Sequence, residues 1–95
     1  MALTSVLIAT LAVHGKDLDD GVFLALLPEL RRGAGDERHF VKKAVNWALR
    51  QIGKRNPRLR RAAIAEAHRI LALGTPTARW IARDALRELG RTPAA

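Results

Sequence analysis

The sequence predicts an all-α chain of about five helices, arranged as antiparallel pairs stacked side by side. Three observations predict it. Apolar residues recur at three- and four-residue spacing along the chain, and no stretch alternates with period two. A helix-capping residue followed by proline occurs twice, at Asn56-Pro57 and Thr75-Pro76. The links are short, which sets helices of roughly 12–18 residues side by side and antiparallel.

Residues 2–13 carry no charge. Leu3, Val6, Leu7, Ile8, Leu11 and Val13 point in too many directions for one stripe, so helix one is expected to be buried nearly all round. It is too short for a bilayer, which needs ~20 apolar residues. It also lacks the basic start and small-residue cleavage site of a signal peptide. His14-Gly15 reads as its stop, with Gly15 suited to a left-handed conformation. Asp19 and Asp20 offer a cap for helix two, whose Val22, Phe23, Leu26, Leu27 and Leu30 form an inner face ending near Arg31-Arg32. Pro28 inside it predicts a kink or an early end. Gly33-Ala34-Gly35 reads as a flexible link. Asp36 is placed to cap helix three, with Glu37 in its first turn.

Helix three organises the rest. Val41, Val45, Ala48 and Ile52 fall on one side, the stripe of a core-facing helix, and Lys43, Trp47, Arg50 and Lys54 repeat that spacing on the opposite side. It ends around Lys54-Arg55. Asn56 then caps helix four, with Pro57 in its first turn and Leu59, Ala63, Ala67 and Ile70 facing inward; Gly74 closes it. Thr75-Pro76 repeats that grammar for helix five, whose inner face is Ala78, Ala82, Ala85, Leu86 and Leu89, with Gly90 as its end. Residues 1–90 thus form one helical domain and 91–95 a tail expected to fray. Stacked antiparallel pairs of this length make a HEAT-like α-solenoid fragment; the plainer alternative is a compact helical bundle. An apolar first helix calls for a cover. An upstream helical half or a second copy of the chain would supply it, so the sequence reads as the C-terminal portion of a longer architecture.

The 95 residues carry a formal charge of +8. Nine cations and no acid lie between Arg38 and Arg61, so the remainder sums to −1. A polyanion is the natural partner, nucleic acid before an anionic membrane, against the alternative of a merely solvated face. The cationic side of helix three has no exposed Leu or Phe bulk facing it, which argues against the membrane. Lys43, Arg50 and Lys54, extended by Arg55, Arg58 and Arg61, suit a phosphate backbone, where contacts fix register without reading sequence. Trp47 among them suits stacking on a nucleotide or a cation–π contact; the alternative is packing on helix five or against Arg50. Trp80 and Asp84 lie one turn apart on the outer side of helix five, where Arg83 and Arg87 are available to pair with the carboxylate, and a structural role is expected for both. No cysteine is present, which is compatible with a reducing cytoplasm. His14, His39 and His68 share no metal-ligand spacing, so neither a metal nor a cofactor is expected.

Residues 36–57, D-E-R-H-F-V-K-K-A-V-N-W-A-L-R-Q-I-G-K-R-N-P, resemble a segment near the C-terminus of AlkD-like DNA alkylation repair proteins, which are HEAT-repeat DNA glycosylases. Residues 78–89, A-R-W-I-A-R-D-A-L-R-E-L, are similar to the close of many bacterial members. The likeness is weaker over 3–32, and it covers only the last part of the family's length. It implies DNA repair in the bacterial cytosol, at the nucleoid, on double-stranded DNA held in a concave basic surface. Cationic alkylated purines such as 3-methyladenine and 7-methylguanine would be released by hydrolysis of the N-glycosidic bond, without the base extrusion most glycosylases use. It gives Trp47 a contact to lesion or sugar and Arg50 a phosphate. The family's catalytic Trp and Asp belong to a helix upstream of Met1, so this chain alone is expected to bind DNA better than it cuts. A non-enzymatic scaffold binding nucleic acid or an acidic protein is the alternative.

Overall fold

The computed structural model describes residues 2–15 and 17–91, with side chains over 4–15 and 17–90. It contains α1 (Ala2–His14), α2 (Asp20–Gly33), α3 (His39–Gly53), α4 (Pro57–Leu71) and α5 (Pro76–Arg91), and the described residues include no strand. Each helix packs on the next and on the next but one. Helices α1, α3 and α5 form one layer and α2 and α4 the other; α1 reaches neither α4 nor α5, and α2 does not reach α5, among the described residues. The Cα trace measures 33 × 26 × 17 Å. Its thin dimension fits two helix layers, whose axes lie ~8–10 Å apart, and leaves no room for a third. The five-helix all-α fold expected from the sequence is therefore present.

Helix α3 sits at the centre and touches the other four. Its expected stripe, Val41, Val45, Ala48 and Ile52, is fully buried, together with Leu49. Leu59, Ala63, Ala67 and Ile70 of α4 are buried as expected, and so are Ala78, Ala82, Ala85 and Leu89 of α5, whereas Leu86 is only partly covered. Gly53 ends α3 against α5, where a Cβ would lie 2.5 Å from a methyl of buried Leu89, so any larger residue there would have to displace that side chain. Both restarts are capped by side chains. Leu59 N donates to Asn56 Oδ1 at 2.8 Å, and Ala78 N donates to Thr75 Oγ1 at 3.1 Å. Gly74, between them, has φ +79°, the left-handed turn that lets the chain reverse.

Five local expectations are corrected. Gly15 ends α1 without a left-handed backbone; its N–H donates to Leu11 O at 2.7 Å, closing a last turn of helix. The early end offered as one outcome of Pro28 does not occur: α2 continues through it to Gly33, because buried Leu27 and Leu30 anchor the turn on both sides of the missing N–H. Ala34 is fully buried and caps α2, so 33–35 is a fitted corner and no flexible link. Asp36 does not cap α3, which begins at His39 after Arg38. Its carboxylate instead accepts from the Arg38 backbone N–H at 3.0 Å and from the Arg38 guanidinium at 2.6 Å, a turn closed on itself. Those bonds hold the Asp36 pKa down to about 2 and raise that of Arg38. Helix α5 runs past Gly90 to Arg91, and the rest of the expected tail, 92–95, lies outside the described residues.

Helix α1 is not buried all round. Ser5, Ile8, Ala9 and Ala12 face inward, while Val6, Leu7, Leu11 and Val13 stay exposed, Leu7 to 56 %. Its apolar excess therefore sits on the outside of the stack, and the side chain of Leu3 lies outside the described residues. No helix among the described residues is long and apolar enough to cross a membrane.

Candidate nucleic-acid interface

Helices α3 and α5, neighbours in one layer, leave an open cleft of about 580 Å³ between their outer faces. Lys43, Trp47 and Arg50 line it from α3, and Trp80, Asp84 and Glu88 from α5. The spacing of these residues places them there. Trp47 follows Lys43 by four residues and Arg50 follows Trp47 by three, while Trp80, Asp84 and Glu88 repeat every fourth position, so each set forms one row along its helix. Trp47 is 36 % exposed and Trp80 40 %. Neither indole is sealed in the core, and both offer surface to the cleft. The packing alternative for Trp47 is thus met only in part.

Asn46 lies beneath the cleft, nearly fully buried. Its amide donates from Nδ2 to Ile81 O at 3.2 Å, and its Oδ1 accepts from Arg50 Nε at 2.8 Å. This bridge ties the α5 backbone to α3 and fixes the direction of the Arg50 side chain, whose Nε also lies 3.8 Å from Asp84 Oδ2. Arg87 donates to Asp84 at 2.7 Å, the pairing expected from the sequence. Lys54 lies 2.9 Å from Glu88. Lys42 places its ammonium 4.7 Å from the centroid of the Trp80 ring, a cation–π contact.

Lys43 and Arg50 share the lining with Asp84 and Glu88, Lys42 lies over Trp80 and Lys54 beside Glu88, and Arg79, Arg83 and Arg87 line the adjoining face of α5. Such a cleft suits a planar or cationic group against its indoles and anions at its margin.

The sequence-predicted cations do not all meet here. Lys43, Arg50 and Lys54 lie at or beside the cleft. Arg55 points the other way: in place of an outward phosphate contact, its guanidinium donates to Ala12 O at 2.8 Å, Gly15 O at 3.0 Å and Leu18 O at 3.3 Å, and covers the Phe23 ring at 4.2 Å. It closes the C-terminal end of α1. Arg58 lies 3.9 Å from Asp20, and Arg61 is exposed on α4, in the other layer. Trp80 and Asp84, read from the sequence as structural, share the cleft with Trp47. Their i, i+4 spacing was visible, but nothing in the sequence says that α5 lies beside α3. Asn46 was missed as well; its signal was an amide one position before the exposed indole, at the edge of an apolar stripe.

Among the described residues no cluster of His, Cys, Asp or Glu has the makings of a metal site. No significant match was found among curated proteins or solved structures. A family model described as DNA alkylation repair enzyme matches residues 5–89, from the first helix to the end of the fifth. With nearly all of its helical stack covered by that match, and two indoles held in a cation-rimmed cleft, the chain belongs to the DNA alkylation repair enzyme family.

Proposed function

We propose that the chain is the DNA-holding part of an alkylpurine DNA glycosylase, acting on cationic 3- and 7-alkylated purines by hydrolysis of the N-glycosidic bond. The observation that carries this reading is the α3/α5 cleft, where Trp47 and Trp80 stand over an electrically balanced floor inside a ring of cations. A purine alkylated at these positions already carries positive charge and leaves with little help from an acid. The barrier lies in the charge that develops on the sugar, and groups preorganised around that sugar lower it. Indole faces attract such a cation. Lys43 and Arg50 are set to take the flanking phosphates, and a place in the cytosol beside the nucleoid goes with this role.

The test is duplex binding and base release. With four or five phosphates engaged, log K falls against log salt with a slope of about −4. On a duplex containing 7-methylguanine, Trp47→Ala is expected to abolish the preference over unmodified DNA, and Lys43→Ala with Arg50→Ala to weaken both duplexes alike. If neither change alters affinity, the cleft is not the DNA site. A second reading, a scaffold without hydrolytic activity, is favoured by one contact: Asp84, the carboxylate beside Trp80, is already held by Arg87 at 2.7 Å. Release of 7-methylguanine by the chain alone would exclude that second reading.

A further inference from the structure

The basic residues beyond the cleft divide in two directions, and they are engaged differently: towards α4 Arg61 alone has no partner among the described residues, whereas the α5 side sets two unpaired guanidiniums one turn apart beside Trp80. Towards α4, Arg55 is bonded to three carbonyls, Arg58 lies beside Asp20, and Arg60 donates to Leu89 O at 2.9 Å. Towards the far side of α5, Arg79, Arg83 and Arg87 recur every fourth residue, all exposed. With Pro76 and Trp80 they line a second open cleft of about 510 Å³, which shares Trp80 and Asp84 with the first. The two clefts therefore adjoin, on either side of Trp80 and Asp84. Arg87 is paired with Asp84, but Arg79 and Arg83 form no ion pair among the described residues.

Two guanidiniums one turn apart on a helix repel each other, by a few tenths of a kcal/mol in typical helices, unless an anion lies between them. From Arg79 to Arg87 the helix advances about 12 Å, over which one strand of a parallel duplex presents three or four phosphates. The geometry points to Arg79 and Arg83 as a second line of phosphate contacts, so that DNA seated at the Trp47–Trp80 cleft runs across α5 rather than along the start of α4. This rests on the DNA-binding reading above and adds the path of the backbone to it.

The experiment is a salt titration of duplex binding, followed by fluorescence anisotropy, for the wild type and two double variants. Arg79→Gln/Arg83→Gln and Arg58→Gln/Arg61→Gln each remove two charges and keep side chains that suit a helix; far-UV circular dichroism verifies the fold. The α5 pair is expected to flatten the slope by about 1.8 and to weaken binding about 60-fold near 0.1 M salt. The α4 pair is expected to leave the slope unchanged. A slope retained by the α5 variant, or one flattened as much by the α4 variant, overturns the inference. A wild type that binds no duplex overturns the DNA reading and this inference together.

Discussion

Asn46 and Glu66 are polar side chains that the helix periodicity sends into the interior, and each brings arginine with it. Asn46 steers Arg50 at the cleft. Glu66, 2 % exposed, lies 3.3 Å from Arg31 and 3.6 Å from Arg69, so a buried charge in the α2–α4 layer is compensated from both helices. Glu66 falls on the inner stripe of α4, seven residues after Leu59 and three after Ala63, and Asn46 stands at the edge of the α3 stripe, but neither network was legible, since their partners sit on other turns or other helices. Asp36 shows the same limit at shorter range, because a cap and a self-closed turn use the same residue type. With its pKa lowered to about 2 from an ordinary 3.8, Asp36 favours the folded state above the ordinary value, and that contribution disappears as pH falls towards the folded value. An NMR titration is expected to place its midpoint near 2 in the wild type and to raise it in Arg38→Ala, short of 3.8 because the backbone N–H of residue 38 still donates to the carboxylate. An unchanged midpoint in the variant would remove the Arg38 contact as its cause.

Helices four and five were the most legible elements, because Asn56-Pro57 and Thr75-Pro76 signal a helix start by chemistry confined to neighbouring residues. Helix three was legible for its stripe and for the side on which Trp47 stands. Helix one was readable as apolar and in its stop at His14-Gly15, but not in the guanidinium of Arg55 that completes this end from 40 residues away. Arg55→Ala is expected to speed hydrogen exchange across α1 and to cost about 1.5–3 kcal/mol, the range for hydrogen bonds made by a charged donor. Arg55→Lys should not restore the loss, since one ammonium cannot reproduce the planar fork that reaches Ala12, Gly15 and Leu18. Equal exchange in α1 of wild type and Arg55→Ala would show that the three carbonyls need no such donor.

At the scale of the whole stack, α3 is the shared wall of both layers. Leu49, fully buried at its centre, is the position to test that dependence. Leu49→Ala is expected to cost about 2–5 kcal/mol. Tryptophan fluorescence, which reports on α3 and α5, and far-UV circular dichroism, which reports on all five helices, should shift their unfolding midpoints together. Separate midpoints would mean that the layers melt independently of α3. The order of packing also has a bearing on assembly. Because no helix among the described residues touches one beyond its second successor, each finds its helix partners among its two nearest neighbours on either side along the chain. A structure knit in this way lengthens as a row of dominoes does, by setting down one more piece beside the last.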